Sequence, residues 1–351
     1  MKIKKIVSIV AIIVILALMV YGYKLYRDIF SDNTKFTENE FFVHVPTDAT
    51  YEDVKKIISP FINDMNRFEM VANKRSYPEN VKSGRFLFKK GMNSFELVKA
   101  MRENVPVKLA FNNQERLENV AGRVGSQIEA DSLSLMQTFT DSTFLNENGL
   151  TKDNVLSICI PNTYEFYWNT SAVKFRDKMI KEYRKFWNEE RTAKAAKLGF
   201  TPIQATTLAS IVHKETVKKD ERPRVARVYI NRLKLEMPLQ ADPTVIFAKK
   251  RQLGDFDTII KRVYFNDLKI SSPYNTYMNT GLPPGPIAMP DITAIDAVLN
   301  PENNDYLYFC ASVTNFGYHE FASTLSQHAV NRKKYVEWLN KQALEREALS
   351  Q

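Results

Sequence analysis

Apolar residues recur at different spacings along this chain, and each spacing predicts an element. Ile6 to Tyr23 is apolar and uncharged throughout. Such a run is long enough, or nearly so, to cross a bilayer as a helix, with Lys5 and Lys24 snorkelling to the two surfaces. Phe30 to Glu40 turns polar and reads as a short tether. Phe41 to Val45 (FFVHV) predicts a strand closed by Pro46, and Thr50 to Ile58 a helix capped by Thr47 or Asp48. A second amphipathic stretch covers Phe61 to Ala72. A turn at Ser83-Gly84 leads into a strand, Arg85 to Phe88, and Ser94 to Glu103 returns to helical period. Pro106 to Phe111 predicts a strand, and Gln114 to Val124 and Asp131 to Leu145 predict helices. Leu156 to Trp168 starts like a strand and turns at Pro161-Asn162, and Lys174 to Gly199 is a basic helix or helix pair. Pro301 to Ser312 and Tyr318 to Ala322 are extended, and Ser326 to Glu347 is a charged terminal helix. The mixture predicts an α+β chain behind one membrane helix.

The most informative stretch is Thr201 to Thr244, TPIQATTLASIVHKETVKKDERPRVARVYINRLKLEMPLQADPT. Thr201 suits a helix cap, and Pro202 takes the first helical position, where its missing N–H costs nothing. Ala205, Leu208, Ala209, Val212 and Thr216 then form one helical face. Glu215 falls at the margin of that face, a full two turns after Leu208 and one after Ile211. A carboxyl there is partly desolvated, which raises its pKa toward that of a proton donor. The plain alternative is a solvated glutamate near a helix end. A second helix is expected from Lys219 or Asp220, with Val225, Val228, Tyr229, Arg232 and Leu233 at helical spacing. Leu239 to Thr244 reads as a loop turned by Asp242-Pro243. Ser271 to Pro290, SSPYNTYMNTGLPPGPIAMP, is rich in proline; the fixed backbone predicts an ordered loop of the kind that suits ligand binding.

Composition narrows the partners. The 351 residues leave room for an anchor and about two domains. Hydrophobic content of 44% and charged content of 25% are those of a folded chain, so disorder is not the default. A net charge of +9 favours anionic partners. The basic residues are scattered, with no arginine-rich tract and no zinc-finger or helix-turn-helix spacing, so no nucleic-acid partner is expected. Lys2, Lys4 and Lys5 precede the apolar run and no small-x-small cleavage site follows it. The reading is an uncleaved signal anchor with the N-terminus cytoplasmic and the remainder exported; a cleaved signal peptide is the rival. Cys159 and Cys310 lie in apolar runs and read as buried small hydrophobes, although an exported chain also allows one disulfide. His44, His213, His319 and His328 are far apart and form no HExxH, so neither a metal nor another cofactor is expected.

Residues 40–105 run strand, helices, strand, and with VPTDAT before the first helix they resemble a LysM-like subdomain, a fold associated with binding amino-sugar chains. A plain spacer domain is the alternative. Further on, IPNTYEFY, LASIVHKET, ARVYINRL, LQADPTVIF, YNTYMNTGLPPGPIAMP and YHEFASTLSQH follow in that order. With the single anchor, these motifs resemble the endolytic murein transglycosylase family, also called YceG-like, from about Phe41 to Leu339. The resemblance implies residues 1–5 cytoplasmic, 6–23 transmembrane, 24–39 a tether, 40–105 the LysM-like subdomain and 106–347 a mixed α/β catalytic domain. It implies a single-pass inner-membrane enzyme whose catalytic domain is periplasmic or otherwise extracytoplasmic. Its substrate would be peptidoglycan glycan strands, cut internally and without a cofactor, beside peptidoglycan synthases.

The family's catalytic glutamate falls on Glu215, the last acidic residue of its E-K-E-T motif. This chain has His213 at the first acidic position of that motif, where a surface or supporting role is expected. The resemblance also gives Gln240, Asp242 and Thr244 to the sugar N-acetyl groups or to bracing the cleft. It gives Tyr274, Asn275 and Tyr277 to a saccharide subsite, and sets His319, Phe321 and Ser323 opposite Glu215. A lytic transglycosylase needs a single carboxyl because the muramyl C6 hydroxyl is the nucleophile, whereas ordinary glycosidases need two. Two rivals stay open. One is a non-catalytic peptidoglycan-binding or scaffold protein; the other is a two-carboxylate muramidase hydrolase pairing Glu215 with Asp242 or Asp220.

Overall fold

The computed structural model describes residues 2–350; Met1, the first residue of the expected cytoplasmic segment, lies outside them. Among the described residues helices dominate, accompanied by three two-stranded sheets, and the chain divides into two compact units. The first takes residues up to 109 with 127–130 and 164–171, and the second takes the remainder.

The first unit begins with α1 (Lys2–Phe30), whose most apolar stretch has a mean hydropathy of 2.7 and no buried residue. At about 1.5 Å per residue it is longer than the hydrocarbon thickness of a bilayer. It is the one helix among the described residues long and apolar enough to cross a membrane. It continues past Tyr23 to Phe30, so the front of the expected tether is helical. The rest of that tether is also fixed. Asn33 is fully buried, donates to Ser94 Oγ (3.0 Å) and the Asp64 carbonyl (2.8 Å), and accepts from the Asp64 N–H (2.8 Å). A polar composition read as loose because burial of side-chain amides with full hydrogen bonding leaves no trace in it.

Strands β1 (Glu40–Val45) and β2 (Gly84–Lys89) pair antiparallel, with Phe41 opposite Phe88 and Val43 opposite Phe86. Their inward residues Val43, Val45, Phe86 and Phe88 pack on α2 (Tyr51–Ile58), α3 (Met65–Lys74) and α4 (Ser94–Ala100) through Val54, Ile58, Phe68 and Leu97. Helix α2 is capped by Thr50 and not by Thr47 or Asp48. Thr50 and Asp53 exchange side-chain and backbone hydrogen bonds, and this reciprocal box outcompetes an earlier start.

The chain passes between the units within β3 (Val107–Phe111) and again within β4 (Asn162–Phe166). The second unit continues with α5 (Leu117–Gly125), α6 (Ser132–Phe139) and α7 (Ser142–Glu147). Asp131 and Asp141 cap the last two, which splits the single helix expected over Asp131 to Leu145. Val155–Ile158, expected as the start of a strand, is a buried 3-10 turn. Helices α8 (Ala172–Phe186) and α9 (Glu189–Lys197) are the expected basic pair.

Helix α10 (Pro202–Glu215) sits at the centre, capped by Thr201 with Gln204 returning the bond. It is buried at every position from Ala205 to Val212, on all sides and not along one face. The buried hydroxyls of Thr206 and Thr207 donate back to carbonyls four residues earlier, and Ser210 to the Thr207 carbonyl (2.7 Å), so no polar group is stranded. Around it pack α9, α11 (Arg222–Lys234), α12 (Asp242–Leu253) and α13 (Ile292–Leu299). Helix α11 starts later than expected, after Glu221, with Pro223 in its first turn. Helix α12 occupies part of the expected loop, because an Asp-Pro pair opens a helix as readily as it turns a chain. Two antiparallel strands, β5 (Tyr308–Ala311) and β6 (His319–Ala322), and the terminal α14 (Leu325–Ser350) complete the unit.

One ionic junction locks α10, α11 and α13. Arg222 is almost fully buried and donates to Asp291 Oδ1 (2.6 Å), Thr293 Oγ1 (2.6 Å) and the Thr216 carbonyl (3.3 Å). Asp291 also caps α13 through the Ala294 N–H and lies 3.3 Å from His213 Nδ1. Burial alone would raise the Asp291 pKa, but the bonds from His213, Arg222, Thr293 and Ala294 hold it far below the usual carboxylate range. Asp291→Ala leaves Arg222 buried without its counter-charge, and denaturant titration at neutral pH is expected to show a loss of about 3 kcal/mol or more. A group depressed in the folded state stabilises above its unfolded pKa, so this loss should shrink as the pH falls through the lower folded value.

Candidate active site

Glu215 is the last residue of α10. Its backbone is fixed by the buried helix, and its side chain reaches the wall of a cleft of about 380 Å³. The cleft is also lined by Arg232, Gln240, Asp242, Tyr277, Phe309, Cys310, His319, His328 and Tyr335. On α11, buried Tyr229 donates its hydroxyl to Glu215 Oε2 (3.1 Å). Burial raises the Glu215 pKa; His319 and the Tyr229 hydroxyl oppose this, and the negative charges of Asp242 and Glu221 reinforce it. The carbonyl end of α10 places further partial negative charge beside the carboxyl, which acts in the same direction. Glu215 is therefore a carboxyl that keeps its proton to higher pH than a free glutamate.

A second acid has the opposite bias. Glu221, almost fully buried at the start of α11, accepts from the His319 backbone N–H (2.7 Å) and contacts His319 Nδ1 (2.8 Å). Burial pushes its pKa up, but these bonds from His319 outweigh burial and hold it down. A carboxylate on Nδ1 fixes the imidazole plane and leaves the other ring nitrogen for the cleft.

The loop before α12 is shaped from below. Arg232 donates to the carbonyls of Leu239 (2.8 Å), Pro238 (3.2 Å) and Leu307 (2.6 Å). Gln240 takes a left-handed conformation (φ 51°) and donates its N–H to the Thr276 carbonyl (3.0 Å). Asn275 donates to the carbonyls of Leu268 and Ile270 and accepts from the Tyr277 N–H, and Tyr277 in turn donates its hydroxyl to Asp242 Oδ1 (2.7 Å). The proline-rich loop, residues 271–290, is pinned where Ser210 of α10 accepts the Ile287 N–H (3.0 Å). At Gly285 any Cβ would come within 1.9 Å of the Asp153 carbonyl oxygen.

Of the residues expected in the site, Glu215, Gln240, Asp242, Tyr277 and His319 are brought together. Thr244 and Asn275 are not at the cleft surface; both are fully buried, their polar atoms used by Thr276, Ala241 and the loop carbonyls, so they brace it from beneath. Tyr274 is buried too and lines a different cavity of about 400 Å³ with Phe247, Arg251 and Phe256, its hydroxyl on Asp153 (3.2 Å). Phe321 packs against Phe309 and Tyr306 behind His319, and Ser323 donates to Asp305. Asp220 carries the Tyr318 hydroxyl and is not among the cleft residues. His213 belongs to the ionic junction, a supporting position. Cys159 and Cys310 are unpaired, and burial pushes the Cys159 thiol up to about 12. Sequence reasoning missed Tyr229, Arg232, Glu221, His328 and Tyr335. The signal for the first two was their shared face on ARVYINRL, and for His328 its place at the end of YHEFASTLSQH; nothing local flagged the others.

Comparison with known proteins places the chain among described relatives. A family profile described as the YceG-like family matches residues 43–334. An endolytic murein transglycosylase of Bacillus subtilis (strain 168) is 28% identical over 337 residues, spanning 90% of this chain and 89% of the relative. One from Streptococcus pneumoniae serotype 2 (strain D39 / NCTC 7466) is 28% identical over 298 residues, spanning 77% of this chain but 53% of that longer protein. The crystal structure of a yceG-like protein from Listeria monocytogenes superposes with a TM-score of 0.55 at 26% identity, covering 84% of this chain and 99% of that one.

The raised Glu215 pKa has a stability signature. Below the unfolded pKa of about 4.3 both states are protonated, and Glu215→Gln should melt like the wild type. Above it the wild type ionises more easily unfolded than folded, so its stability falls until the folded pKa is passed. Calorimetric melting across pH is expected to show a Tm advantage for Glu215→Gln that grows with pH and then levels.

Proposed function

This chain belongs to the YceG-like family, and on that premise we propose that it is an endolytic lytic transglycosylase of peptidoglycan with Glu215 as its acid and base. The observation that carries the assignment is a carboxyl at the end of a buried helix, its pKa raised by burial, opening on a cleft. Protonated Glu215 gives its proton to the oxygen linking N-acetylmuramic acid to N-acetylglucosamine, and the C1–O bond breaks. The new carboxylate then takes the proton of the muramyl C6 hydroxyl as that oxygen bonds to C1, leaving a 1,6-anhydromuramyl end. The carboxyl returns to its starting state and no water is consumed. A group that donates and then accepts works best with a pKa near the ambient pH, which is the direction in which burial moves Glu215.

Gln240, Asp242, Tyr277 and His319 hold the sugars in this reading, and Glu221 keeps the His319 ring aimed. Thr244 and Asn275 support the loop that presents Gln240 and Tyr277. The order strand, two helices, strand in residues 40–89 supports a LysM-like module that binds the same polymer. Three lysines at the start of α1, ahead of its apolar run, favour a cytoplasmic N-terminus and an extracytoplasmic site. An anchored site of this kind reaches newly made strands first, beside the synthases that make them.

Asp242 supports one other reading, since it lines the same cleft and its charge pushes the Glu215 pKa up. Paired with Glu215 it would make a two-carboxylate hydrolase, whose products carry reducing ends. Mass spectrometry of digested peptidoglycan separates the two, because anhydro ends are one water lighter. The expected outcome is anhydro ends from the wild type and a fall of about 10²- to 10⁴-fold with Glu215→Gln. Reducing ends alone would overturn the transglycosylase reading, and wild-type rates in Glu215→Gln would overturn the residue assignment. Tyr229→Phe removes the bond that favours the ionised carboxyl, so the alkaline limb of the pH–rate profile should move to higher pH; a shift to lower pH would contradict the donor role given to Tyr229.

A further inference from the structure

Helix α14 adds something that the mechanism does not use. His328 and Tyr335, two turns apart on one face, line the Glu215 cleft. His328 is stacked on Tyr308 (ring centroids 5.3 Å, 21° between planes). One turn beyond Tyr335, Trp338 lies with its ring 6.2 Å away and tilted by 19°, nearly parallel. Phe316, in the turn between β5 and β6, packs 5.7 Å from Trp338 and is 65% exposed. Tyr335 and Trp338 are themselves only half-buried. The matched family span ends at residue 334, so Tyr335 and Trp338 lie just past it.

The geometry points to a sugar-stacking platform: Tyr335, Trp338 and Phe316 extend the cleft outward and hold the glycan strand beyond the bond that Glu215 cuts. This rests on the transglycosylase reading for the identity of the strand. Rings whose sole task was packing would be covered, as Phe139 and Phe175 are. Here Phe316 is exposed and Tyr335 and Trp338 are half-buried, next to a polar cleft. Pyranose rings carry a flat face of C–H groups that water solvates poorly, and an aromatic face covers it without demanding a hydrogen bond. Tyr335 belongs to the cleft and the stack alike, which makes the platform continuous with the catalytic surface. A glycan is therefore the occupant favoured over a peptide stem, whose charges the rings would leave unpaired. Trp and Tyr also settle at membrane surfaces, and that alternative is an outcome of the test.

The test uses the full chain in detergent, in the Glu215→Gln form so that ligand is bound and not turned over. Chitotetraose, the bare amino-sugar backbone, is titrated while tryptophan emission and calorimetric heat are followed. Binding should change the emission; Trp338→Phe should lose that change while keeping most of the affinity. Trp338→Ala and Tyr335→Ala should each raise Kd about three- to tenfold, the range for one lost ring contact. In the otherwise wild-type enzyme, Trp338→Ala should raise KM by a similar factor and leave kcat nearly unchanged. Leu339→Ala, on the exposed side of the helix, serves as the control. No chitotetraose binding, unchanged Kd in both alanine variants, or an equal loss with Leu339→Ala would overturn the platform. So would Trp338-dependent binding to phosphatidylglycerol vesicles in place of sugar. If the tetrasaccharide binds as expected but no anhydro ends form, the platform stands and the functional reading falls.

Discussion

A helix buried on every side for two turns has to end somewhere, and α10 ends on a carboxyl. That constraint organises the second unit. Because Ala205 to Val212 are enclosed by α9, α11, α12 and α13, the position of Glu215 is set by the core and not by a surface loop. A side chain at such a terminus combines poor solvation with the negative end of a helix, and both favour the proton. The site thus inherits its rigidity and its chemistry from the same packing.

Three acids near that helix end show how environment divides one residue type into different tasks. Asp291 is held ionised by Arg222, His213 and the start of α13, and it serves as a structural rivet. Glu221 is held ionised by His319 and aims an imidazole. Glu215 alone is biased toward the neutral form, with Tyr229 as its direct partner. The separation comes from counting donors. Asp291 and Glu221 each receive several, whereas Glu215 receives one hydroxyl while facing other negative charges.

His213 shows why an imidazole suits its corner of the fold. An acidic residue beside Asp291 would add a second negative charge at that corner, whereas the imidazole gives Asp291 a partner at 3.3 Å. The consequence is mechanical. The turn from α10 into α11 is clamped through Arg222 to the Thr216 carbonyl, directly after Glu215.

The sequence by itself determined the local events. The apolar run that becomes α1, the Thr201 cap and Pro202 start of α10, the alternation in β1 and β2 and the proline-fixed order of residues 271–290 all follow from nearest-neighbour chemistry and period. Motif order likewise singled out Glu215, Gln240, Asp242, Tyr277 and His319, which the fold gathers around one cleft. What only the tertiary structure decided was which polar residues face inward. Thr244, Asn275 and Tyr274 look like ligand contacts in a polar loop, yet they are buried supports. Glu221, Tyr229 and Tyr335 look like ordinary helix residues, yet they touch or line the site. Polarity in a sequence records that a group needs a partner; whether that partner is the protein or the substrate depends on which distant segment folds against it.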